Sequence, residues 1–359
     1  MKETRRSNIE LLRIISMALI VFFHCADGVF HSGTSVEYIR WSAGPTINKL
    51  FTSFFGGGGD TGVGAFFLIT GFYLSTREGK KISSDFFLQI IFYSIINLFS
   101  FLIIRLLCQD VTIGITEAIK KIIFPISDST WWFATIYLLI VLICPTTNKY
   151  LRKLNKRQYL SLIVVAWAGW YTIGKILDVR YYRLLQGLFY YIVGSYFAKY
   201  PQKRKTKWWI VAFAFGWILY AISTYMIGIM TADQNAEGII YSAIKLMRRS
   251  VLGPIAAIGL FNIFNSIEIK ELKTVNAIAR TTFAVYLFHA APYTLILLWN
   301  YIFVVSAQAY NEVWFPAYMF CIVIIIFATV FCLEIVRKKA QYFLVKMKDI
   351  VTKRKREKT

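Results

Sequence analysis

Residues 8–30 read NIELLRIISMALIVFFHCADGVF. About 20 apolar residues suffice to cross a bilayer, and this run is long enough, yet it carries Glu10, Arg13, His24 and Asp27. Charge inside a membrane segment is costly and faces a bundle interior or a watery cavity. His24 lies eleven residues after Arg13. At about 100° per residue, only about 20° separates their directions, with roughly 16 Å between them along the helix axis. Glu10 precedes Arg13 by three residues and Asp27 follows His24 by three, so both extend the same stripe. The pattern predicts a membrane helix with one polar stripe, and a site that reaches through much of the bilayer.

The whole chain shares this character. Its 359 residues are 57% hydrophobic, with a mean hydropathy of +0.54. That exceeds the apolar share of soluble domains and predicts an all-α, polytopic membrane helix bundle. The net charge of +22 does not point to nucleic acid, because the basic residues lie in short loops between apolar runs. Cys25, Cys108, Cys144, Cys321 and Cys332 lie mostly in or beside apolar runs without paired spacing, so no disulfide framework and no metal site is expected. The N-terminus enters the first span without a small-residue cleavage site and reads as a retained anchor.

Ten spans are expected, near 9–30, 52–75, 86–107, 131–147, 159–177, 184–199, 208–230, 250–265, 281–304 and 314–336. Residues 112–124, TIGITEAIKKIIF, carry Glu117, Lys120 and Lys121 and read as an interfacial helix. Ten spans leave 29 of the 41 Lys and Arg on the side of the N-terminus and 10 on the other, with Arg13 and Arg105 inside spans. By the positive-inside rule both termini are cytoplasmic, in the plasma membrane. Residues 1–336 form the integral membrane domain, and the basic tail 337–359 lies against anionic lipid. Arg13 then sits near the inner face, placed to hold an anion, and His24 sits in the outer half. Snorkelling of Arg13 and a plain interhelical hydrogen bond from His24 remain open alternatives.

Three further stretches stand out. Residues 56–75, GGGGDTGVGAFFLITGFYLS, carry six glycines between 56 and 64, with Asp60 as the one acid. Glycine admits a ligand or another helix closely, and Gly64 and Gly71, seven apart, are expected to receive the first span. Residues 131–145, WWFATIYLLIVLICP, begin with Trp131 and Trp132, which suit an interfacial anchor or a sugar platform. In residues 281–293, TTFAVYLFHAAPY, Thr282, Tyr286, His289 and Tyr293 form one polar face. Pro292 bends that helix, and His289 reads either as a satisfied core histidine or as part of the site. His31 lies in an outer loop without an evident partner.

These blocks, in this order, resemble the membrane acyltransferase 3 family. IELLRIISMALIVFFH resembles its opening Arg-x10-His span, met by Arg13 and His24. GVGAFFLITGF resembles its FF-x-x-(S/T)-G-(F/Y) block. WWFATIYLLIVLICP and TFAVYLFHAAPY resemble its Trp-Phe…Tyr-Leu…Pro and Tyr-Leu-x-His blocks. Two departures matter. Many relatives carry an acid just before the paired phenylalanines, where this chain has Gly64, and Asp60 is out of register to replace it. About two dozen residues follow the tenth span, so the extracytoplasmic hydrolase-like domain of some relatives is not expected.

The resemblance implies acyl transfer, most often acetyl from acetyl-CoA as co-substrate, to a hydroxyl of an extracytoplasmic or lipid-linked polysaccharide of the cell envelope. An alcohol needs a base before it attacks, and a neutral histidine suits that task. His24 is the expected general base or transient acyl carrier. Arg13 would orient the donor or stabilise developing charge, with Glu10 or Asp27 tuning the site. Cys25 points about 100° off the stripe. The expected partners are the bilayer, a coenzyme A thioester and a glycan acceptor, with no nucleic acid and with a homo-oligomer left open. A glycan or small-molecule transporter and a non-catalytic partner of a glycan synthase are the alternatives. No repeat of the first span's stripe appears in the sixth, which weighs against a transporter built from paired halves.

Overall fold

A computed structural model describes residues 6–30, 42–76, 82–107, 114–126, 130–176, 179–202, 206–232, 238–303 and 309–356. His31 and Cys108 lie outside the described residues. Every regular element among those described is helical. In chain order these are α1 (Ser7–Phe30), α2 (Thr46–Phe55), α3 (Gly58–Leu74), α4 (Ser84–Leu107), α5 (Ile115–Ile123), α6 (Trp132–Lys153), α7 (Lys156–Ile176) and α8 (Val179–Lys199). Then follow α9 (Thr206–Ala232), α10 (Ile239–Met247), α11 (Gly253–Ser266), α12 (Lys273–Ala279), α13 (Thr282–His289), α14 (Pro292–Ile296) and α15 (Phe315–Arg356). Wide π-helical turns continue α10 into α11 at Arg248–Leu252 and extend α14 at Leu297–Ile302.

Among the described residues, six helices are long and apolar enough to cross a membrane, or seven if the bent pair 273–289 and 292–302 is one span. The outward faces of these helices are apolar: Phe99, Leu106, Val211 and Ile324 are all more than half exposed. Such belts suit lipid rather than water, and the molecule is a multi-pass membrane protein.

The differences from the expected spans have local causes. The second expected span divides at the Gly56–Gly57 turn into α2 and α3, leaving α3 at 17 residues. Helices α7 and α8 are of full length but carry Lys156, Arg157, Arg180, Arg183 and Lys199, which lowers their hydropathy. The ninth span breaks by 80° between α13 and α14. Ala291 is extended there, at φ −68° and ψ 133°, as the residue before a proline prefers. Asn97 Oδ1 accepts the freed N–H groups of Tyr293 at 3.0 Å and Thr294 at 3.4 Å, so the new helix start is satisfied inside the bundle. Helix α5 is short and amphipathic, with Ala118 buried, as an interfacial helix requires. Helix α15 runs without a break across residue 336.

The core is organised around α3, which packs against α1, α8 and α11. Small residues permit this in lipid, where close van der Waals approach drives helix association. A Cβ on Gly58 or Gly62 would strike the backbone carbonyls of Leu19 and Ser16 on α1. A Cβ on Gly71 would strike the carbonyl of Tyr191 on α8. The sequence expectation for Gly64 and Gly71 is therefore corrected: Gly58 and Gly62 receive the first helix, while Gly64 faces Tyr190 and Ala257. Helix α3 uses two glycine faces, one for α1 and one for α8 and α11, and the seven-residue spacing identified only the second.

Candidate functional site

Seated on Gly58 and Gly62, α1 turns its polar stripe toward two cavities. The first, the outer cavity in the orientation that the loop charges favour, has a volume of about 350 Å³ and is lined by His24 and Asp27 of α1 and by Asp60 of α3. Trp132, Tyr182, Arg183, Tyr220, Arg248 and Arg249 line it from other helices. The second, of about 390 Å³, is lined by Arg13, Thr70, Ser83, Asp85, Arg280 and Lys338, among others. Met17, Phe66, Phe133 and Tyr286 line both, so a single layer of side chains separates the two cavities. Met17 lies one turn beyond Arg13 and seven residues before His24, on the stripe itself.

Around the outer cavity, His24 meets His289 edge to face, with ring centroids 5.3 Å apart. His289 is fully buried. Its Nδ1 lies 2.6 Å from the Val285 carbonyl. A carbonyl only accepts, so Nδ1 carries the proton and Nε2 is the acceptor. Nε2 has no hydrogen-bond partner among the described residues. Tyr286 Oη accepts the Phe133 N–H at 3.1 Å, which fixes the phenol in the layer between the cavities. Tyr220 donates its hydroxyl to Asp60 Oδ2 at 2.6 Å. The Arg183 guanidinium stacks over the Trp132 ring, 4.1 Å from its centre.

At the second cavity, Arg13 Nη1 pairs with Glu10 Oε2 at 3.6 Å. Glu10 is buried and lies outside both linings, so it supports Arg13 rather than meeting a ligand. Asp85 on the cavity wall accepts from Arg337 Nη1 at 2.8 Å. Arg13, Arg280 and Lys338 make this cavity cationic.

Of the residues singled out from sequence, His24, Asp27, Asp60, Trp132 and Tyr286 share the outer cavity, with His289 behind His24. Arg13 opens into the other. Two expectations change. Trp131 is fully buried and donates Nε1–H to the Leu287 carbonyl at 3.1 Å, so it ties α6 to α13 instead of anchoring at an interface. Tyr293 leaves the polar face of α13 at the Pro292 break and packs on Phe101, 5.0 Å between ring centroids. Cys25 is fully buried in the core, away from both cavities. Among the described residues, no cluster of three or more His, Cys, Asp or Glu is arranged to hold a metal ion.

Sequence reasoning missed Arg183, Arg248, Arg249 and Tyr220. The three arginines count as outer-loop charge in a hydropathy reading, yet Arg183 sits in α8 and the other two in the π-helical turn before α11. A signal existed: the helical run 239–266 is continuous and apolar enough to span, with both arginines inside it.

A family model described as an acyltransferase domain matches residues 6–334. No curated protein and no solved structure gives a significant match.

Proposed function

The chain belongs to the membrane acyltransferase 3 family, and on that premise we propose that it moves acetyl from acetyl-CoA to a hydroxyl of a cell-surface or lipid-linked polysaccharide. The observation that carries this reading is the pair of cavities, one holding Arg13 and one holding His24, parted by one layer of side chains. In the proposed orientation the chain makes ten crossings of the plasma membrane with both termini cytoplasmic, as the loop charges favour.

Coenzyme A is polyanionic and cytoplasmic. Arg280, Lys338 and Arg13 suit its phosphates and the start of its pantetheine arm. The thioester then reaches toward His24 past Met17, a flexible side chain able to yield to an acyl chain. The acceptor hydroxyl enters the outer cavity. His24 removes its proton as the oxygen attacks the thioester carbonyl. The C–S bond breaks as the tetrahedral intermediate collapses, and the coenzyme A sulfur takes the proton held by His24. The edge-to-face packing of His289 on His24 supports a role in orienting that ring.

The test is label transfer from acetyl-CoA by purified protein in liposomes carrying glycan acceptors, comparing the native chain with His24→Ala. Label on glycan, lost in the variant, supports the reading. Glycan movement across the bilayer without any change in its acyl content would replace it with transport.

A further inference from the structure

Three guanidinium groups meet the outer cavity: Arg183 from α8, and Arg248 and Arg249 from the π-helical turn. Among the described residues, none of them lies within ion-pair distance of a carboxylate. Arg248 Nη1 donates to Thr224 Oγ1 at 3.1 Å, and its guanidinium covers the Tyr220 ring at 5.2 Å. Its Nε is buried without a hydrogen-bond partner among the described residues. Arg183 rests on Trp132, and Arg249 is exposed at the rim. The lining contains two carboxylates, Asp27 and Asp60. One oxygen of Asp60 already accepts the Tyr220 hydroxyl. Among the described residues, two negative charges against three arginines leave the cavity positive.

Arg183 and Arg248, with no carboxylate in contact among the described residues, are costly inside an apolar bundle unless a counter-charge arrives, and Asp60 acts on Arg183 and Arg249 only from beyond contact distance. Arginine presents a planar fork that matches phosphate and carboxylate oxygens. The π-helical turn is itself a device that recurs at functional sites. Here it places two consecutive arginines on one cavity, and Trp167 Nε1 donates to the Ser250 carbonyl at 2.7 Å to hold it.

We propose that Arg183, Arg248 and Arg249 form an anion subsite in the His24 cavity, which holds a phosphate or carboxylate of the reactant seated there. In the proposed reaction, which this inference deepens, that group sits on the glycan acceptor near its acylated hydroxyl, or on a dicarboxylic acyl group of the donor. The acceptor is the favoured source, because the second cavity already supplies Arg13, Arg280 and Lys338 to the donor's phosphates.

The experiment compares the native protein with Arg248→Ala/Arg249→Ala and Arg248→Lys/Arg249→Lys, and with Arg183→Gln should the alanine pair fail to fold. Thermal unfolding is followed with inorganic phosphate replacing chloride at constant ionic strength. Phosphate should raise the native midpoint by about 2–4 °C, the lysine pair less, and the alanine pair or Arg183→Gln not at all. Equal shifts in all proteins overturn the subsite. Acyl transfer is then measured with a uronate-bearing oligosaccharide, its neutral methyl ester, acetyl-CoA and succinyl-CoA. A KM for the uronate acceptor raised at least tenfold in the alanine pair, with the ester and acetyl-CoA within twofold, places the anion on the acceptor. A loss confined to succinyl-CoA places it on the donor's acyl group. Unchanged constants throughout overturn the proposal. A native protein that responds to phosphate through these arginines but transfers no acyl group keeps the subsite and removes the acyltransferase premise.

Discussion

His24 and His289 come from the first helix and from α13, and their rings meet edge to face with centroids 5.3 Å apart. The pairing joins the two ends of the sequence at one point. It also divides their roles: His24 lines the outer cavity, whereas His289 is sealed behind it with Nδ1 committed to the Val285 carbonyl. General-base catalysis contributes about 10²–10⁴-fold, so His24→Ala should lose at least about 10²-fold in acyl transfer. His289→Phe keeps the ring volume but removes the Nδ1 tie to the Val285 carbonyl that sets the ring's angle on His24. It should cost up to about 10²-fold, the scale of a small misplacement of a reacting group, with protein yield unchanged. Full activity in His289→Phe would make His289 a core residue only.

A base must be neutral to accept a proton. The transfer rate should therefore fall on acidification while the protein stays folded, and the fall should be absent from the residual rate of His24→Ala. Identical pH profiles in the two proteins would remove His24 from proton transfer.

The layer between the cavities gives a separate prediction. Met17 lines both sides. Met17→Trp should abolish transfer from acetyl-CoA to an outside glycan while leaving coenzyme A binding intact, because only the route past residue 17 is filled. Met17→Leu, close in volume, should retain activity. A Met17→Trp variant of normal rate would show that the acyl group takes another path.

Helix packing on α3 is also testable. A Cβ on Gly71 would press into the Tyr191 carbonyl of α8, and one on Gly194 into the Leu68 carbonyl of α3. These reciprocal contacts have no free side-chain end that could move aside. Overpacking of this kind costs about 1–3 kcal/mol, so Gly71→Val and Gly194→Val should each lower the unfolding midpoint in detergent. A glycine with open space such as Gly169 should accept valine without that loss.

The sequence made the helix around Arg13 and His24 readable because polar residues in an apolar run have few physical explanations. Spacing alone placed both on one stripe, of which Arg13, His24 and Asp27 line the cavities while Glu10 does not. It could not show that Met17 divides the stripe between two chambers, because that division depends on Phe66, Phe133 and Tyr286 from three other helices. The Pro292 break was legible, but not its consequence for Tyr293, since Asn97 on α4 supplies the cap that lets the helix restart. Arg248 and Arg249 were hidden for a different reason. A window of hydropathy treats adjacent arginines as a loop boundary, whereas a π-helical turn carries them through.

A buried ion pair stands behind Asp85 on the wall of the second cavity. Arg337, 4% exposed, holds Glu334 through Nε–Oε1 and Nη2–Oε2 contacts of 2.9 Å each. Gln89 and Tyr93 of α4 donate to the same carboxylate at 3.3 Å, and Arg337 reaches Asp85 at 2.8 Å. The network fastens α15 to α4. Breaking a buried pair on one side costs about 3–5 kcal/mol, because a charge is left without its partner, whereas an apolar pair of similar volume is often neutral. Asp85 remains for Arg337, so Glu334→Leu should fall near the lower end of that range. Arg337→Met combined with Glu334→Leu should recover much of the loss. Because Asp85 and Gln89 also line the cavity with Arg13, the single variant should raise the KM for acetyl-CoA more than that for the acceptor. Thermal unfolding and steady-state kinetics on the same preparations check both. A double variant less stable than Glu334→Leu would mean that the pair contributes net stability beyond what apolar packing can replace.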